Sequence, residues 1–225
     1  MTTTEHDFSA RATLSGRSLY LCTPDRPDLE SFVAHCIEGG VDIVQLRDKV
    51  LDARPIIERA LVLKRVCGDY GVPFILNDRP DLALEVDADG VHVGQDDAPP
   101  ALARRILGPD KIVGLSTHHI EDLESARSEP VDYLSAGPVV PTPTKPGRPG
   151  TGISYVALAS EKALSWRPSG LPVFITGGVT PEVIPELAAH GVRHFVVVRY
   201  LTESDDPERA ARLLRQAIDR SVPPA

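Results

Sequence analysis

Two neighbouring stretches decide how this chain folds: Val72-Pro73-Phe74-Ile75-Leu76-Asn77-Asp78-Arg79 and Gly90-Val91-His92-Val93-Gly94-Gln95-Asp96-Asp97. Each opens with a short apolar, β-branched run and closes in polar or glycine residues. Such a run, bounded by turn formers, reads as a strand. A run apolar on both sides reads as a strand buried on both faces. Strands of that kind are parallel, because covering both faces takes helical crossovers.

Moving outward from this pair, the same unit recurs along the chain. Candidate strands are Ser18–Cys22, Val41–Leu46, Val72–Leu76, Gly90–Val93, Ile112–Leu115, Tyr133–Ala136, Val173–Ile175 and Phe195–Val198. Helical spacing fills the gaps between them. Ile56, Ala60, Leu63 and Cys67 share one face, as do Ala210, Leu213, Leu214, Ala217 and Ile218. Thr180-Pro181-Glu182 and Asp206-Pro207-Glu208 each place a cap residue before proline and an acid in the first turn, marking helix starts. Eight strand–helix units fit 225 residues when the loops are short. The count favours an α/β chain closed into a single (β/α)8 TIM barrel over an open doubly wound sheet. The expected domain spans residues 18–220, with residues 1–17 a flexible N-terminal segment and 221–225 a loose C-terminus.

Composition narrows the function classes. The formal charge is -8, from 24 Lys+Arg against 32 Asp+Glu. A binder of nucleic-acid phosphates needs the opposite balance. No apolar run approaches the roughly 20 residues of a membrane-spanning helix. Met1–Arg17 is polar, without the apolar core of a secretory signal. Cys22, Cys36 and Cys67 form no CxxC, so neither a disulfide framework nor a zinc site is indicated; they read as small core residues. The expectation is a cytoplasmic enzyme or binding domain, with an exposed helical face able to support a homodimer.

In a barrel, the strand ends that lead into helices form one rim, where chemistry collects. Just past each apolar run stand Gln45, Arg47 and Lys49; Asn77, Asp78 and Arg79; Gln95, Asp96 and Asp97; Ser116, Thr117 and His118; Gly177-Gly178; and Arg199. After the sixth strand, residues 137–152 carry five prolines interleaved with glycines, around Thr142, Thr144 and Lys145. A loop of that length reads as a lid or ligand clamp. Arg47, Lys49, Lys145 and Arg199 can meet anionic oxygens. Asp78 and Asp97 can hold a hard divalent cation that bridges phosphates. Gly177-Gly178 lets backbone N–H groups approach a phosphate. The rim therefore reads as two anion subsites, one suited to a diphosphate and one to a monophosphate.

Plainer readings stand beside these. Arg47–Lys49 can be a solvated charge run. Asp78 can cap the next helix, as can Asp96 or Asp97 ahead of Pro99-Pro100. A glycine pair serves any loop. His92 reads as a packed interior histidine rather than a ligand. Ser116 has neighbouring histidine but no arrangement that demands a nucleophile.

Five blocks in order carry a resemblance: Gln45-Leu46-Arg47-Asp48-Lys49, Asn77-Asp78-Arg79, Ala88–Asp97, Gly114–His118 and Thr142–Gly147, followed by Gly177-Gly178 to Val198. Together they resemble the thiamine phosphate synthases, from about the first strand to the last helix. That resemblance implies a (β/α)8 barrel and a magnesium-dependent transferase of an alkyl group. The family joins an aminopyrimidine-methyl diphosphate to a hydroxyethylthiazole phosphate, releasing pyrophosphate. It implies that Gln45, Arg47, Lys49, Asn77, Ser116 and Lys145 bind the pyrimidine diphosphate, with Lys145, Ser116 and Arg47 serving catalysis. Asp78 and Asp97 would hold Mg2+. Thr142, Thr144, Gly178, Val198 and Arg199 would hold the thiazole phosphate. The implied chemistry is dissociative, so it calls for charge neutralisation and alignment rather than an enzymic nucleophile. Arg199 stands where many members carry serine, and Thr176 and Thr151 replace usual aliphatic residues. A thiazole tautomerase on the same scaffold, or a barrel that merely senses a phosphorylated ligand, needs no such metal pair and diphosphate clamp.

Overall fold

The computed structural model describes Leu14 and residues 16–143, 149–167 and 170–223. Eight parallel strands close in sequence order: β1 (Leu19–Thr23), β2 (Ile43–Leu46), β3 (Phe74–Asn77), β4 (Gly90–Val93), β5 (Ile112–Thr117), β6 (Tyr133–Ala136), β7 (Val173–Ile175) and β8 (His194–Val197). The ladder closes between β8 and β1, with Tyr20 opposite Val196. Helices α1 (Leu29–Glu38), α2 (Ala53–Asp69), α3 (Pro80–Glu85), α4 (Pro100–Leu107), α5 (Ile120–Ala126), α6 (Gly152–Leu164) and α7 (Ile184–Ala189) follow the first seven strands. The short α8 (Arg199–Thr202) and long α9 (Pro207–Ser221) follow β8. The expected (β/α)8 barrel is what the chain forms.

Strand alternation splits the core in two. Leu19, Leu21, Val44, Leu46, Phe74, Leu76, Val91, Val113, Leu134 and Phe195 point outward and pack under the helices. Residues of the other parity, Tyr20, Cys22, Ile43, Ile75, Ile112, Tyr133, Phe174 and Val196, fill the interior with Leu14. Two inward positions are glycine for a reason of space. A Cβ at Gly114 would meet the Tyr133 ring, and one at Gly90 would meet Ile112.

Of the two end segments expected to be loose, residues 1–13, 15, 224 and 225 lie outside the described residues. Leu14 is buried among the interior residues, and Arg17 donates to the carbonyls of Asp42 and Gly71. At the other end, Ser221 still belongs to α9, and Val222 packs on the core. One helix start is corrected. Asp206 caps α9 by accepting from Arg209 N at 3.0 Å, as read. Thr180-Pro181-Glu182, however, forms turns, and α7 begins only at Ile184, where the Val183 and Ile184 amides have already closed on the Thr180 carbonyl.

Candidate active site

All strands run in one direction, so their carboxyl ends share one mouth, where a cavity of about 1080 Å³ opens. Gln45, Arg47, Lys49, Asn77, Asp78, Asp97, Ser116, Thr142, Gly178, Val198 and Arg199 all line it. Thr144 and Lys145 lie outside the described residues.

One wall is built from the ends of β2, β3 and β4. Asp78 has a left-handed φ of 62°, which aspartate tolerates better than most residues, so the chain turns directly off β3. Its carboxylate is ion-paired with Lys49, whose ammonium also lies 3.9 Å from Asp97. Asp97 accepts from the Gly94 amide at 2.8 Å. Burial, and then the Asp97 carboxylate beside it, push Asp78 above the usual carboxylate range against the pull of Lys49. Burial works against charge on Asp97 as well, but Asp78, the Gly94 N–H and Lys49 outweigh it and hold Asp97 low. Two adjoining carboxylates that resist joint ionisation are a natural seat for a cation. Among the described residues there is no cluster of three or more His, Cys, Asp or Glu able to hold a metal alone. A pair suits Mg2+, which keeps waters and substrate oxygens in its remaining positions.

The plainer readings of these aspartates lose support. Neither α3, which starts after Arg79, nor α4, which starts after Pro99, has a side-chain cap. On the same wall, Asn77 Nδ2 is buried without an acceptor among the described residues. A buried amide left unpaired costs about 1–3 kcal/mol. A ligand oxygen in the cavity would satisfy it.

The opposite wall follows β7 and β8. Gly177 and Gly178 have φ of 88° and 77°. A Cβ on Gly177 would lie 2.4 Å from Pro138, and one on Gly178 would lie 2.5 Å from Val140. The pair is thus required by close approach of the loop after β6, whatever it also offers a phosphate. That loop is anchored at its foot by Val139 N to Thr176 O at 2.8 Å and Thr151 N to Pro138 O at 2.7 Å. Arg199 reaches the rim, but its guanidinium is bidentate to Glu203 at 2.7 and 3.0 Å, so this cation is already engaged.

The cavity floor holds residues that the rim survey missed. Tyr20, Tyr133 and Ser135 line it, and His92 proves to be an interior histidine within the site. A hydrogen-bonded series runs from Gln45 Nε2 to Tyr20 OH (2.7 Å), Tyr133 OH (2.9 Å), His92 Nδ1 (2.9 Å) and, from His92 Nε2, to Ser116 Oγ (2.9 Å). Ser135 Oγ lies 3.2 Å from Ser116 Oγ. Burial pushes both phenols up, so they stay protonated. The signal was present in the sequence: these residues share the inward strand parity of Gln45, Asn77 and Ser116.

This geometry can be set beside known proteins. Residues 19–201 match the family described as thiamine monophosphate synthase. A thiamine-phosphate synthase of Saccharopolyspora erythraea is 44% identical over 217 residues, covering 92% of this chain and 96% of that protein. One from Thermobifida fusca is 43% identical over 216 residues, covering 94% and 97%. A solved thiamine phosphate pyrophosphorylase from Pyrococcus furiosus superposes with a TM-score of 0.81 at 30% identity, covering 95% of this chain and 99% of that one. A 3-hexulose-6-phosphate synthase, at 20% identity and a TM-score of 0.63, shares the barrel. With the match extending from the first strand into α8 and the relatives aligned over nearly their full length, the chain belongs to the thiamine-phosphate synthase family.

Proposed function

We propose that this protein joins an aminopyrimidine-methyl diphosphate to a hydroxyethylthiazole phosphate, giving thiamine phosphate and pyrophosphate. The observation that carries the reading is the division of one cavity into two walls. Arg47, Lys49, Asn77, Asp78, Asp97 and Ser116 line one part, and Gly178, Val198 and Arg199 another. A diphosphate suits the first and a monophosphate the second. On this reading the protein works in the cytoplasm on small phosphorylated substrates, with no nucleic-acid partner, and as a homodimer whose mass light scattering would report. Among the described residues no helix is long and apolar enough to cross a membrane.

Asp78 and Asp97 would hold Mg2+, which when bound neutralises charge on the diphosphate oxygens. The remaining work belongs to side chains. Arg47 and Lys49 draw the diphosphate into place and stabilise negative charge as the C–O bond breaks. Asn77 Nδ2 supplies a donor that has no acceptor among the described residues. Ser116 donates from the floor, and Lys145 brings a further cation from the loop. Thr142, Thr144 and the Gly178 and Val198 backbone hold the thiazole phosphate, so that its ring nitrogen faces the electron-poor methylene carbon. For Arg199 the supporting role is the main chain, since its side chain pairs with Glu203. Alignment of two bound partners is itself worth several orders of magnitude in rate.

The test is incubation with both phosphorylated substrates, with and without magnesium. Thiamine phosphate and pyrophosphate should appear together, and only with the metal. Thiazole isomerisation without pyrophosphate would point to a tautomerase, and binding without turnover to a sensor.

A further inference from the structure

We infer that Tyr133 and His92 are positioning residues that fix the Ser116 hydroxyl as a hydrogen-bond donor toward the cavity, through a one-way series of hydrogen bonds starting at the Gln45 amide. The inference rests on the reading in which Ser116 faces the departing pyrophosphate.

The direction follows from counting hydrogens. Gln45 Nε2 is a pure donor, held in that orientation by the Cys22 thiol, which donates to Gln45 Oε1 at 3.3 Å. It donates to Tyr20 OH. The single Tyr20 hydrogen then goes to Tyr133 OH, and the single Tyr133 hydrogen to His92 Nδ1. With Nδ1 accepting, the imidazole carries its proton on Nε2 and donates it to Ser116 Oγ, with Ser135 Oγ farther off at 3.4 Å. Ser116 therefore keeps its own hydrogen for Ser135 or for a ligand oxygen above it. An imidazolium would reverse the Tyr133 bond. The Tyr20 hydroxyl would then receive two donors, and its own hydrogen would have no acceptor within this series.

The arrangement also separates this pair from a nucleophilic Ser–His dyad of similar spacing. There the imidazole accepts from serine, and a carboxylate receives its other N–H. Here a phenol donates to Nδ1, so His92 is oriented to give a proton in a hydrogen bond, not to take one. All five participants are buried, and the low-dielectric surroundings strengthen and rigidify such a network.

The first measurement is the nitrogen-15 spectrum of the histidine-labelled protein, which reports which His92 ring nitrogen carries the proton. The Nε2–H form is expected in the parent, and a shift toward Nδ1–H in Tyr133→Phe. An Nδ1–H parent, or a Tyr133→Phe spectrum unchanged at His92, overturns the proposal. The second measurement is a double-mutant cycle on the coupling reaction. Tyr133→Phe should lower kcat about tenfold with little change in KM, and should add nothing in a Ser116→Ala background. An equal loss in both backgrounds would make Tyr133 merely structural and refute the mechanism. If no thiamine phosphate forms in the parent, the reaction assignment fails, while the spectrum still decides the proton's position.

Discussion

Gly114→Ala loads the tightest contact in the barrel interior. A Cβ there would lie 2.1 Å from Cζ of Tyr133 and 2.5 Å from its hydroxyl oxygen, whereas ordinary contact begins at 3.4 Å. The ring tip must therefore retreat by about 1.3 Å, the difference between the first and last of these separations. There is little room for it. The Phe174, His92 and Tyr20 rings stand 5.3, 5.4 and 6.0 Å away, centroid to centroid. The hydroxyl is held at 2.9 Å by both Tyr20 and His92. Overpacking of this kind costs about 1–3 kcal/mol. Disturbing two hydrogen bonds adds about 1 kcal/mol each. A loss near 3 kcal/mol lowers the melting temperature of a domain this size by about 6–12 °C. Circular dichroism melting measures it, and kcat should fall in parallel because the same ring holds His92. A melting point within about 2 °C of the parent, with kcat unaltered, would show that the aromatic floor is not packed against β5 as described.

Asp97→Ala should lower magnesium-dependent turnover at least about a hundredfold while leaving the melting curve nearly in place, since the residue lies on the rim; retained metal-dependent activity would remove it from the metal role. Lys145→Ala should reduce kcat about 10–100-fold with a smaller change in KM, because its charge is needed most on the departing diphosphate; single-turnover kinetics separates the two. Burial, against the opposing hydrogen bond to the Arg17 carbonyl, holds His194 below its usual value of 6.5, so the unfolded chain takes up that proton first. Stability from this group is present above pH 6.5 and is lost as pH falls toward the lower folded value. Urea midpoints at successive pH values should fall less steeply below 6.5 in His194→Gln than in the parent, and parallel slopes would contradict the assignment.

How much of this was legible beforehand can be traced residue by residue. The runs around Phe74–Asn77 and Gly90–Val93 announced themselves because a strand buried on both faces must be apolar throughout. Parallel pairing then sent every strand end to one mouth, and Gln45, Lys49, Asp78, Asp97, Ser116 and Gly178 could be gathered as a rim before any contact was known. Local cues were good where local energies rule, as at Asp206, and failed at Thr180, where turns occupy the expected first turn of the helix. The positive φ of Asp78, whose amide bonds the His92 carbonyl on β4, and the close approach of Pro138 and Val140 to the glycine pair could not be read, since each involves a neighbouring part of the barrel.

What the chain alone determined, then, was the repeating unit and the kind of chemistry at its ends, because burial and turn propensity act over a few residues. Tertiary structure alone decided which hydrogen points where on the cavity floor. Tyr20 and Tyr133 are 113 residues apart, and Gln45, Tyr20, Tyr133, His92 and Ser116 stand on five different strands. No local pattern encodes their order. It exists only because closing the barrel brings those side chains within hydrogen-bonding reach, where burial requires that each donor find an acceptor.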